Sequence, residues 1–169
     1  MRKNAAQKEP EKPKANSKIF EEFSKDDTID QDGMVLLFGK LKVEVDDPLV
    51  GYILYIMQCK QNGEISREEF ARLVAHTKAT SVADLISRVP QLRKEFGSQE
   101  TFKQVYEWMF DLVKERADSK TIPFDMAEYV WSIYLKNNFS FYNEFMAYLK
   151  ETKDKKGINK DTWRMVIEF

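Results

Sequence analysis

The sequence predicts an all-α protein. Its 169 residues include only six glycines and five prolines against 33% charged residues, a balance that favours long amphipathic helices over a turn-rich β fold. Apolar residues recur at steps of three and four along most of the chain beyond Ile19, the spacing that gathers them on one helix face. Helix-capping residues separate these runs.

Taken in order, Asp30 to Gly33 precedes the apolar run Met34 to Leu41. Asp47-Pro48 offers an N-cap followed by proline in the first turn and opens a strongly apolar helix expected to reach about Lys60, with Asn62-Gly63 as its stop. Ser66-Arg67-Glu68-Glu69 is a capping box, in which serine and glutamate each satisfy an exposed amide of the other. Ser81-Val82-Ala83-Asp84 opens the next helix, which should bend or break before Pro90, because proline removes a backbone donor and collides with the preceding turn. Ser98 caps a long helix whose Phe102, Val105, Tyr106, Met109, Phe110 and Val113 form one stripe. After a polar loop from Arg116 to Thr121, three more helices are expected over Phe124 to Lys136, Phe141 to Lys150 and Lys160 to Phe169.

Residues 1 to 18 hold six cations and two anions, leaving 21 cations and 26 anions for the rest. The basic stretch, rich in Pro, Lys, Glu and Asn, is expected to be a disordered tail, with one helical domain over residues 19 to 169. An acidic domain suits a basic protein partner better than nucleic acid phosphates. No apolar run approaches the length that crosses a bilayer, no secretory signal opens the chain, and the single cysteine, Cys59, excludes an internal disulfide. These features point to the nucleus and cytoplasm.

The residue inventory speaks against an enzyme. His76 is the sole histidine, so no Cys-His pair or histidine-based triad can be assembled, and no phosphate-cradling glycine loop is present. Gln58 to Phe70 reads like the later half of an EF-hand, with Gly63 at the sharp turn and Glu69 in the place of the bidentate glutamate. Its first, third and fifth places then hold Gln58, Lys60 and Asn62, too few carboxylates for calcium. Counting Gly33 as the sixth place of an earlier loop puts Thr28 first and Gly39 twelfth, which is equally deficient. The expectation is EF-hand-like helix-loop-helix units without a functional calcium loop, followed by further packed helices, and no cofactor.

The second half carries a more specific signal. Phe102 to Tyr106, Met126 to Trp131, Phe141 to Leu149 and Ile158 to Phe169 resemble, in order and spacing, consecutive blocks of the potentiating-neddylation domain of the defective-in-cullin-neddylation family. The terminal Lys160-Asp161-Thr162-Trp163 is the most specific of them. Asp32-Gly33, Asp47-Pro48, Ser66 to Phe70 and Ser81 to Leu85 fit the same family, so the resemblance runs from about Phe20 to Phe169.

The resemblance implies a non-catalytic, scaffold-type neddylation co-ligase that holds a cullin C-terminal winged-helix domain beside the N-acetylated neddylation conjugating enzyme, and indirectly the ligase's RING subunit. It implies a pocket for the acetylated N-terminus at Ile53, Ile56, Ile65, Leu112 and Ile133, and a cullin-binding acidic patch that begins at Asp161. Gln58 stands where the family usually has a tryptophan, and the family's last helices, with the rest of the patch, would lie beyond Phe169. Two alternatives stay open: a degenerate EF-hand-like module for an amphipathic partner helix, and a shortened competitor that binds the conjugating enzyme alone.

Overall fold

Two short antiparallel ladders organise the helices of the computed structural model, which describes residues 14–151 and 157–168. The first half comprises α1 (Lys14–Glu21), β1 (Thr28–Ile29), α2 (Gln31–Leu41), α3 (Leu49–Met57), β2 (Ile65–Ser66) and α4 (Arg67–Thr77). Then follow α5 (Val82–Phe96), α6 (Gln99–Leu112), β3 (Thr121–Ile122), α7 (Phe124–Tyr134), α8 (Tyr142–Glu151), β4 (Ile158–Asn159) and α9 (Lys160–Val166). The all-α class holds, since the described strands are two residues long and serve only to tie loops together.

Each ladder joins two helix-loop-helix units. Ile29 pairs with Ile65 and Ile122 with Ile158, and all four isoleucines are buried. In every case the next residue, Asp30, Ser66, Pro123 or Asn159, is the N-cap of a helix. The same local device, an isoleucine driven into the core followed by a helix start, is therefore used four times.

The ladder also corrects the reading of the first loop. In the second loop the left-handed position two residues before Ile65 is Gly63, at φ 89°; two residues before Ile29 stands Asp27, at φ 66°. Asp27, not Gly33, takes the sharp turn, because aspartate tolerates the left-handed region better than most side chains. Gly33 lies instead in the first turn of α2, which starts at Gln31 with Asp30 capping the Gly33 amide at 2.9 Å. A side chain on Gly33 would run into the Phe23 carbonyl.

The capping box at Ser66 forms as expected. Glu69 directs one carboxylate oxygen to the Ser66 amide at 2.8 Å and the other to the Lys60 amide at 2.9 Å, so its two oxygens are committed to the loop's own backbone. Among the described residues no three of His, Cys, Asp and Glu are grouped to hold a metal ion.

Three further expectations shift. Helix α3 stops at Met57, with Gln58 at φ 53°, before Asn62-Gly63 is reached. Helix α5 runs unbroken through Pro90: Leu85 and Leu92, on either side of the proline, are both buried, and this packing outweighs the roughly 3 kcal/mol that an interior proline costs. Helix α1 begins at Lys14, so residues 14–18 of the basic stretch are helical, while residues 1–13 lie outside the described residues.

Helix α3, Leu-Val-Gly-Tyr-Ile-Leu-Tyr-Ile-Met without a charge, packs against α4, α5 and α6. Arg67 fastens α1 to α4 by stacking over Phe20 at 4.5 Å and bonding Ser17 and Asp27. In the second half α9 packs on α6, with the Trp131, Trp163 and Tyr106 rings stacked at its centre. No helix among the described residues is long and apolar enough to cross a membrane.

Candidate functional site

A cavity of about 360 Å³ opens between α2, α3, α6 and α7. Helix α2 turns Met34, Val35 and Phe38 toward it and α7 contributes Met126, Val130 and Ile133, each set at the three- and four-residue steps that keep side chains on one face. Behind these walls Gly51 of α3 lets a neighbour approach its backbone, since a side chain there would overlap the Tyr134 hydroxyl. That hydroxyl donates to the Pro48 carbonyl at 3.2 Å. Burial pushes the Tyr134 phenol well above its ordinary pKa, so it stays neutral and suits an apolar chamber.

The mouth differs from the interior. Val35, Val45 and Tyr129 are exposed there at 65%, 66% and 53%, and large apolar side chains gathered around a concave opening mark a binding surface. Gln31 and Asn62 supply side-chain amides at the lining. Asp47 accepts from the Leu49 amide at 2.9 Å and pairs with Arg93 at 2.8 Å, which fixes the start of α3 as one edge of the opening.

Of the five residues expected in a peptide pocket, Leu112 and Ile133 lie on this wall. Ile53 and Ile65 are wholly enclosed in the core, and Ile56 is half-buried and packs against the core outside the cavity lining. The sequence reading missed the α2 wall, although the spacing of Met34, Val35 and Phe38 was available as a signal. What it lacked was the orientation of that stripe.

Asp161 sits exposed in the first turn of α9. The neighbouring cations are tied back to α6, Lys160 to Asp111 at 2.6 Å and Arg164 to Glu107 at 3.3 Å. Asp111, partly buried yet bonded by Lys114 and Lys160, is held below the usual carboxylate range because the two ammonium groups outweigh desolvation. Asp161 itself is exposed and forms no ion pair among the described residues.

The two remaining sequence candidates take quiet roles. His76 Nε2 meets Glu95 Oε2 at 2.8 Å. The Cys59 thiol is buried and its pKa is pushed up to about 12, chiefly by desolvation, which suppresses the reactive thiolate.

Comparison with known proteins gives this geometry a context. The fruit fly DCN1-like protein 4 is 26% identical over 153 residues, covering 89% of this chain and 61% of its own length. The rat DCN1-like protein 5 is 22% identical over 151 residues, covering 89% of this chain and 63% of its own. The human DCN1-like protein 4 is 22% identical, and 51% of it is covered. The chain thus spans between half and about six-tenths of the length of these relatives. The family model described as Cullin binding matches residues 84–169, half of the chain, from the first turn of α5 through α9. With the Lys160-Asp161-Thr162-Trp163 block inside that match, this chain belongs to the cullin-binding family.

Proposed function

We propose that this chain is a scaffold-type neddylation co-ligase, which binds a cullin through the α9 side of the molecule and the N-acetylated conjugating enzyme through the cavity between α2, α3, α6 and α7. The observation that carries the reading is the cavity itself: an apolar chamber with an exposed apolar mouth, in a member of the cullin-binding family. An acetylated N-terminus brings an apolar side chain and an uncharged cap, whereas a free ammonium would have to lose its water in a chamber whose one lining carboxylate, Asp47, is already paired with Arg93. The exposed Asp161 suits a basic cullin surface.

Such a protein supplies no reacting group. Holding the cullin lysine near the conjugating enzyme's thioester makes their encounter effectively intramolecular, and restricted orientation alone can remove several kcal/mol of barrier, up to about 7 to 11 in well-oriented systems. Titration of the chain with a cullin winged-helix domain and, separately, with conjugating-enzyme N-terminal peptide in acetylated and free-amine forms tests both halves. Cullin binding together with at least tenfold preference for the acetylated peptide supports the co-ligase. Equal peptide affinities remove the cavity assignment, and acetyl-selective binding without cullin binding makes the chain a competitor instead.

A further inference from the structure

We infer that a second recess, where α4 and α6 meet the C-terminal end of α3, docks an acidic peptide segment that carries an aromatic side chain. It encloses about 580 Å³, and its lining includes Lys60, Arg72, Trp108, Asp111 and Leu112. Leu112 is the one residue it shares with the cavity between α2, α3, α6 and α7. Trp108 supplies the aromatic wall. It is half-buried, whereas Trp131 and Trp163 are fully enclosed, and Tyr55 braces its ring edge-on at 5.5 Å. A partly exposed indole held in place gives an incoming ring a large apolar contact at little cost in freedom.

The charge of the recess is opposite to that of the domain around it. Lys60 is exposed and in no ion pair among the described residues. Arg72 is fixed by bonds to the Met57 carbonyl and to Glu68, both at 2.9 Å. Asp111, the one carboxylate of the lining, is bonded by two ammonium groups, Lys114 at 2.7 Å and Lys160 at 2.6 Å. Glu69 accepts the Lys60 amide, but it is buried and its other oxygen is taken by the Ser66 amide. These contacts gather four cations against Glu68, Asp111 and the enclosed Glu69. Outside residues 1 to 18 the chain has 21 cations and 26 anions. An acidic segment is therefore drawn to the recess and repelled by the rest, whereas the extended phosphates of a nucleic acid would meet the domain's negative charge on every side.

The test uses the full chain and three pentapeptides, all acetylated and amidated so that only side chains differ: Asp-Glu-Phe-Asp-Glu, Asn-Gln-Phe-Asn-Gln and Asp-Glu-Ala-Asp-Glu. Titrations are followed by the indole N–H resonances. The first peptide is expected to move Trp108, to leave Trp131 and Trp163 in place, and to bind about tenfold more tightly than either of the others at low salt. At about 1 M salt, where the screening length is about 3 Å, its advantage over the amide peptide disappears. Lys60→Glu, at an exposed position that folding does not depend on, weakens it about tenfold. Lys136→Glu, the same change of net charge at an exposed position outside the lining, leaves its affinity within about twofold. No movement of Trp108 at millimolar peptide, equal affinities for the first peptide and either of the others, or equal effects of the two variants overturn the inference. So does a single-stranded oligonucleotide that moves Trp108 at lower concentration than the acidic peptide, which would make the recess a nucleic acid site.

Discussion

Tyr106 and Trp163 hold each other by two hydrogen bonds: the Tyr106 hydroxyl donates to the Trp163 carbonyl and the Trp163 indole N–H donates to the Tyr106 carbonyl, both at 2.9 Å. Their rings stack at 4.6 Å between centroids. The same hydroxyl accepts the Trp131 indole N–H at 2.8 Å, so one buried oxygen joins α6, α7 and α9. Tyr106→Phe keeps the ring but strands a buried indole donor and a carbonyl. A loss of about 2 kcal/mol in chemical denaturation is expected, along with altered near-ultraviolet circular dichroism from the tryptophans. An unchanged midpoint would show that the three helices are held by ring packing alone.

Cavity wall and core separate by mutation. Ile133→Glu places a charge on the wall while its side chain can still reach solvent, so acetylated-peptide binding should fall tenfold or more with little change in melting. Ile65→Ala hollows the enclosed core and should cost about 2 to 5 kcal/mol, leaving peptide affinity nearly intact at temperatures where the variant is folded. Calorimetric titration and thermal melts on both variants check the division.

Two glycines of α2 should respond in opposite directions to alanine. Gly39 has open space around it, so Gly39→Ala should stabilise by roughly 0.5 to 1 kcal/mol, the helix-propensity difference. Gly33 faces the Phe23 carbonyl and Ile29, and Gly33→Ala should destabilise by about 1 to 3 kcal/mol through overpacking. Paired denaturation curves decide both.

Glu95 should set part of the acid limb of stability. Partial burial works against its charge, but bonds from His76, Gln91 and Tyr52 outweigh it and hold the carboxyl below its ordinary 4.5. A carboxylate depressed in the folded state contributes stability above its unfolded pKa and loses it as pH falls through the folded value. The parent chain should therefore lose this contribution below about pH 4.5, and Glu95→Gln, weaker at neutral pH, should show a shallower decline there. Melting temperatures at half-unit steps from pH 3 to 7 give the comparison.

Asp161→Lys should weaken cullin binding while costing the helix only its favourable end charge, about 0.3 to 1 kcal/mol. Affinity for a cullin winged-helix domain, read beside the melting temperature, separates the two effects. Full retention of affinity would leave Asp161 as a helix-terminal residue only.

What the sequence determined by itself is what neighbours along the chain can settle. The caps at Ser66, Ser81 and Ser98 form where their letters stand, because an N-cap and its amide lie within one turn. The helical class followed from periodicity, and the family from the ordered blocks ending in Lys160 to Trp163. The tertiary structure decided what depends on distant partners. Pro90 is carried inside α5 because Leu85 and Leu92 are both buried, and Asp27 takes a left-handed turn because Ile29 must meet Ile65 across the ladder. The candidate site divides the same way. Ile65 and Ile133 are the same residue at helix-loop junction and helix face, equally apolar to a reader of letters, yet one is sealed in the core and the other lines the cavity. Burial is a property of the partners a side chain meets, and those partners lie tens of residues away.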